Sequence, residues 1–276
     1  MNEQLKAMRK QILLSAMAGG GGHVASSYSA LEILWALYQG KVLRVRPDEP
    51  LWMERDRFIL SKGHAALALY VCLAEAGFFS MDELWGFTRP HRMLGGEPTL
   101  GIMGVETATG SLGHGLSYGA GVALGLKRRG SKARTFVLIG DGECEEGSIW
   151  EAAGFASAQR LDGLTAILDC NGLQKMDLIQ NVYGVPNWAE RWQSFGWQVT
   201  EADGHDLPKL VQTLSTANPE GKPRLILAHT IKGKGSAVME NQINWHYRLP
   251  SKRELKTICA ELDITQEEVE HAKSLY

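Results

Sequence analysis

The chain has 276 residues, 22% of them charged and 44% hydrophobic, with a formal net charge of −2. That size admits one large α/β domain, and the balance is that of an ordinary globular protein. No basic block points to nucleic acid, and no apolar run is long enough to span a bilayer as a helix.

The four cysteines, Cys72, Cys144, Cys170 and Cys259, form no CxxC pair. Their scatter argues against a zinc site or a disulfide framework and fits a reducing compartment, the cytoplasm. Lys6, Arg9 and Lys10 ahead of Ile12–Ala18 faintly resemble a secretory leader, but the spacing from Leu5 to Met17 predicts an amphipathic helix. Gly19 to Gly22 follow, a run best explained by a backbone that passes close to something. His23 comes next. Ser29 is predicted to cap a helix from Ala30 to Tyr38.

Phe58–Leu60 predicts a short strand, and Ser61-Lys62-Gly63-His64 opens a helix to Ala76. A lone His at a helix start is usually a cap or a solvated side chain. Ser80 is predicted to cap a short helix. The stretch from Arg89 to Pro98, which holds His91 and Glu97, gives no clear reading. Gly101 to Gly115 predicts a loop, and an alanine-rich helix runs from near Leu112 to near Arg129. Free N–H groups at such a helix start suit a diphosphate, although glycines there also serve close packing.

Thr135–Ile139 reads as a buried parallel strand that stops at Gly140-Asp141-Gly142. A helix is predicted from Gly147 to Arg160, then a strand from Leu164 to Asp169 that runs into Asn171-Gly172-Leu173. Two neighbouring parallel strands thus bring Asp141 and Asn171 to one sheet edge, where open α/β sheets bind ligands. A carboxylate, an amide oxygen and a backbone carbonyl are hard donors. They are too few for a protein cage but suit Mg²⁺ completed by water and phosphate oxygens. The competing reading is two ordinary turn residues.

Gln174 to Pro186 predicts a loop, and Asn187 caps a helix through Phe195. A strand at Trp197–Thr200, a helix from Asp206 to near Ala217 and a strand at Arg224–Ala228 follow. Polar helices fill Ser251 to Tyr276. This alternation predicts a single α/β domain over 1–276, a doubly wound parallel sheet flanked by helices. Lys232-Gly233-Lys234-Gly235 lacks the full P-loop spacing. A nicotinamide dehydrogenase would show an early GxGxxG between strand and helix, and none lies near the first strands.

Gly140-Asp141-Gly142 followed by Asn171 resembles the thiamine diphosphate (ThDP) fingerprint. Ser61-Lys62-Gly63-His64-Ala65, Thr109 to Gly115, Ile149 to Ala153 and Thr230 to Gly235 resemble transketolase words. The resemblance covers nearly the whole chain and is closest to the separately encoded amino-terminal half of a split transketolase. Four positions depart from it: Val24 for Pro, Glu97 for His, His114 for Gln and Cys170 for Asn.

The resemblance implies a ThDP-binding fold, specifically the diphosphate-binding domain, with ThDP and Mg²⁺ as cofactors. Asp141, Asn171 and the Leu173 carbonyl would hold the metal. His64, Gly113, Gly115, Gly140, Asp141, Gly142, Asn171 and His246 would contact the cofactor. His23, His64 and His246 would touch substrate or shuttle protons, a task suited to a pKa near neutrality. Glu146, the fourth catalytic residue implied, would sit at a subunit interface and couple paired sites. The implied reaction moves a two-carbon ketol unit from a ketose to an aldose, typically as phosphates. Glu97 puts the donor sugar in question, with His91 as a candidate substitute and His114 as structural. The pyrimidine-binding domain, with the glutamate that activates the cofactor ring, is expected on a partner chain. A heterotetramer of two of each is expected, with this chain inactive alone. Deoxyxylulose-phosphate synthase and dehydrogenase E1 subunits share the fingerprint, and a non-catalytic ThDP-binding or regulatory module is the reading from another class.

Overall fold

Five strands of mostly apolar residues form one parallel sheet in the order β1-β2-β3-β5-β4. The computed structural model describes residues 2–184 and 187–276. The strands are β1 (Arg57–Leu60), β2 (Thr135–Gly140), β3 (Leu164–Cys170), β4 (Gln198–Asp203) and β5 (Arg224–His229). Every residue of β2 is buried, as expected for a strand covered on both faces.

Alternate side chains leave a strand on opposite faces, and the core divides accordingly. Phe136 and Leu138 of β2 join one cluster, and Val137 and Ile139 join the other. The first cluster is closed by α1 (Glu3–Ala18), α2 (Val24–Tyr38) and α3 (Ala66–Glu75). The second is closed by α4 (His114–Arg128), α5 (Gly147–Ala158) and, beyond the short α6 (Ile179–Val182), α7 (Trp188–Ser194). Helix α8 (Leu207–Ser215) returns to the first face through Leu210 and Leu214. The sheet is therefore doubly wound. Helices α9 (Lys252–Leu262) and α10 (Gln266–Leu275) finish the chain, each opened by a capping box, Ser251 with Glu254 and Thr265 with Glu268.

The amphipathic stretch from Leu5 to Met17 is α1, a core helix that buries Ile12, Leu13 and Ala16. The glycine run has a steric cause. A Cβ at Gly19 would lie 2.5 Å from the Phe87 carbonyl, and one at Gly22 would lie 2.9 Å from Leu67.

Three sequence expectations need correction. Helix α2 begins at Val24, not Ala30, so Ser29 lies within it rather than at its cap. The Ser29 hydroxyl donates to the Asp169 carboxylate (2.7 Å), and its oxygen lies 3.0 Å from Ser26 O. A buried serine with internal acceptors looks, in sequence, like a terminus signal. The predicted loop from Gln174 carries α6 and an antiparallel bridge between Leu173 and Leu178. Its last residues, 185 and 186, lie outside the described residues. The predicted strand at Trp197–Thr200 is β4, which starts at Gln198 and extends to Asp203.

Candidate active site

Strands β2 and β3 pair in register, Gly140 opposite Asp169, so both chains leave the sheet side by side. A cavity of about 300 Å³ lies over that edge, lined by Asp141 and Asn171 together with His23, His64 and His246. A second hollow of about 490 Å³ lies around the starts of β2 and β3. It gathers no comparable set of buried ionisable groups.

Asp141 follows β2 directly and is 3% exposed. Its carboxylate accepts from Gly142 N (2.9 Å) and Gly172 N (2.6 Å). Burial, then the nearby Asp169 carboxylate, pushes its pKa up to about 6 against those bonds. A cation here would relieve that penalty. Asn171 Oδ1 accepts from Leu173 N (3.1 Å), and Asn171 Nδ2 donates to Asp169 Oδ1 (3.3 Å). The amide is thus held at both ends. Leu173 is buried in the cavity wall. Among the described residues no three His, Cys, Asp or Glu side chains converge as a metal cage. The oxygen donors present fit a hard divalent ion that takes its remaining ligands from phosphate and water.

Asp169, at the end of β3, carries no sequence signal that marks it as a site residue. It is fully buried and accepts from Lys62 Nζ, Ser29 Oγ, Thr230 Oγ1 and Asn171 Nδ2. Burial works against its charge, but Lys62, Thr230 and Ser29 outweigh it and hold the carboxyl below its usual range. It therefore ties α2, the turn after β1 and the loop after β5 to the Asn171 amide.

Lys232 is 2% exposed and faces the cavity. Its ammonium lies 3.3 Å from His246 Nδ1, and among the described residues it has no carboxylate partner. Burial, then Lys62, lowers its pKa to about 8, opposed by Asp141 and Asp169. A buried cation without a counter-ion is completed by an anionic ligand. The sequence places Lys232 in a glycine-rich word but gives no sign of its burial.

Three distant segments bring the imidazoles together. His23 immediately precedes α2, its side chain making no cap bond, His64 lies in a 3-10 turn after β1 (Gly63–Ala65), and His246 follows another (Ile243–Trp245). Their ring centroids are 5.4, 5.1 and 5.7 Å apart, and Tyr247 stands edge-on to His23 at 4.7 Å. Burial, then Lys232 and other cations, lowers His23 to about 4 and His246 to about 3. Burial, then Lys62, takes His64 well below its ordinary value. Burial thus moves all three away from the near-neutral value of a free imidazole. The lowered values favour the neutral form, in which an imidazole has one donor and one acceptor nitrogen.

The other expected site residues fall in different places. Gly140 and Gly142 line the cavity. Gly113 and Gly115 stand behind it. Gly113 is left-handed (φ 85°) and donates its N–H to Glu143 (2.8 Å), whereas Gly115 packs against Ser61. Glu146 is exposed at the start of α5 and does not line the cavity. Glu97 does line it. Its backbone is tied by the Tyr70 hydroxyl (3.0 Å), and its stem lies over Gly110. His91 is exposed elsewhere, in a surface hollow with Phe79 and Glu83. His114 is exposed on α4 with Nδ1 3.1 Å from Leu112 O.

The family described as transketolase, thiamine diphosphate binding domain, matches residues 2–268. An apulose-4-phosphate transketolase subunit from Phocaeicola vulgatus is 37% identical over 268 residues, covering 97% of this chain and 95% of that one. The 6-deoxy-6-sulfo-D-fructose transketolase subunit SqwG of a Clostridium species is 38% identical over 265 residues, covering 95% and 96%. The transketolase structure from Campylobacter jejuni superposes with a TM-score of 0.86 at 27% identity, covering all of this chain and 46% of that one. The chain thus spans almost all of the two separately encoded relatives and less than half of the whole transketolase. It belongs to the transketolase family, as the domain that binds thiamine diphosphate.

Proposed function

We propose that this chain is the diphosphate-binding subunit of a split transketolase. It acts with a second subunit that carries the pyrimidine-binding domain, in an assembly of two copies of each. The reaction moves a two-carbon ketol unit from a ketose to an aldose. The observation that carries this reading is the cavity itself. Asp141 and Asn171 stand at its sheet edge, Lys232, buried with no carboxylate partner among the described residues, faces it, and three imidazoles line the same space. Two relatives are named for apulose 4-phosphate and 6-deoxy-6-sulfo-D-fructose, both sugars with an acidic group. A ketose of that kind is the substrate class we assign.

Asp141, Asn171 and the Leu173 carbonyl would hold Mg²⁺ against the diphosphate, with Lys232 supplying a further positive charge. Gly140 and Gly142 let the backbone approach that group closely. Bound ThDP supplies a nucleophilic carbon and a sink for the electron pair released when a carbon–carbon bond breaks. Neutral His23, His64 and His246 can each donate to a substrate hydroxyl or carbonyl and accept from another, which orients the sugar. Glu97 adds an acceptor for hydroxyls at the same cavity. The exposed Glu146 is available to a neighbouring subunit. Isothermal titration of the chain with ThDP tests the cofactor part of the reading. Binding should require Mg²⁺ and vanish in Asp141→Ala. Equal binding with and without Mg²⁺ would contradict the metal assignment.

A further inference from the structure

We propose that Glu143 is a positioning residue, a buried clamp that fixes the three backbone segments framing the ThDP cavity. The link to cofactor affinity rests on the ThDP reading above.

Glu143 is 2% exposed and has no ion-pair partner among the described residues. A buried carboxylate is tolerated only when its lone pairs are used. Glu143 accepts from Ser61 Oγ, from Gly113 N (2.8 Å) and from Gly140 N (3.0 Å). The three donors come from the turn after β1, the loop before α4 and the last residue of β2. His64 lies three residues beyond Ser61 and Asp141 one beyond Gly140, so the clamp sets His64 against the metal edge. Gly113 is held from its other side as well, its carbonyl accepting from Ser148 Oγ (3.0 Å). An ionised carboxylate is acceptor-only and matches three donors. Glutamine has the same shape but would turn an NH₂ toward a backbone N–H.

The test is Glu143→Gln, read by hydrogen exchange and by ThDP titration in Mg²⁺. Exchange should accelerate in peptides that contain Gly113 and Gly140, and ThDP binding should weaken at least about tenfold. Asn218→Ala is the control for generic destabilisation. Asn218 braces Asp162 O and Leu164 O near the start of β3, away from the cavity. That variant should melt earlier yet bind ThDP as the wild type does. Should Glu143→Gln fail to fold, Ser61→Ala removes one bond from the outside and should shift both readouts the same way by less. Unchanged exchange at Gly113 and Gly140 would overturn the clamp, as would equal ThDP weakening in Asn218→Ala. If neither the wild-type chain nor its complex with the second subunit takes up ThDP, the cofactor reading fails, while exchange still decides whether Glu143 clamps the segments.

Discussion

Replacing Asp169 by Asn removes a charge at the centre of the site without changing its shape. Lys62 then keeps its ammonium in the interior, with side-chain exposure of 1% beside a residue at 0%, and loses its counter-ion. Breaking a buried pair from one side costs about 3–5 kcal/mol. The amide can still accept from Ser29 or Thr230, so most of the loss comes from the stranded lysine. Lys62→Met in the same chain removes that charge and should restore stability to within about 2 kcal/mol of wild type. Urea unfolding of the ligand-free chain at neutral pH measures all three proteins. A loss below about 1 kcal/mol in Asp169→Asn would refute the reasoning. A double variant no more stable than the single one would refute it too.

Other consequences follow from the remaining buried charges. A carboxyl raised to about 6 keeps its proton when the unfolded chain has already released it. Asp141 therefore gives the ligand-free chain most stability below about pH 4, with about 3 kcal/mol lost between pH 4 and 6. Melting curves across that range should show the loss, and Mg²⁺ with ThDP should remove it. Lys232, at about 8, gives ThDP binding a second pH limb. Affinity should fall as pH rises through that value, and Lys232→Met should bind more weakly and lack the limb.

The edge of the sheet was legible in the sequence because its signals are local. Thr135–Ile139 and Leu164–Leu168 are apolar runs with stops, and the helix between them puts Asp141 and Asn171 at the same end. The clamps were not legible. Glu143 finds Ser61, and Asp169 finds Ser29 and Lys62, across long stretches of chain that only the folded topology brings together. Ser29 misleads for the same reason, since a helix-interior serine looks like a cap until its buried acceptor is known. The imidazoles are legible as residues, but their protonation is not. Composition gives the unperturbed pKa, whereas burial beside Lys232 and Lys62 lowers it. Glu97 and His91 lie close together in the sequence, yet only Glu97 reaches the cavity, because Tyr70 anchors its backbone there.

The central claim is that this chain works as half of a site. Native mass spectrometry of the chain isolated gently from its own cells, with Mg²⁺ and ThDP present, tests it directly. The account predicts two copies of this chain with two of a second subunit, carrying two ThDP, and ketol transfer by that complex but not by the purified chain. A homodimer with neither cofactor nor second subunit would contradict it, as would full turnover by the chain alone.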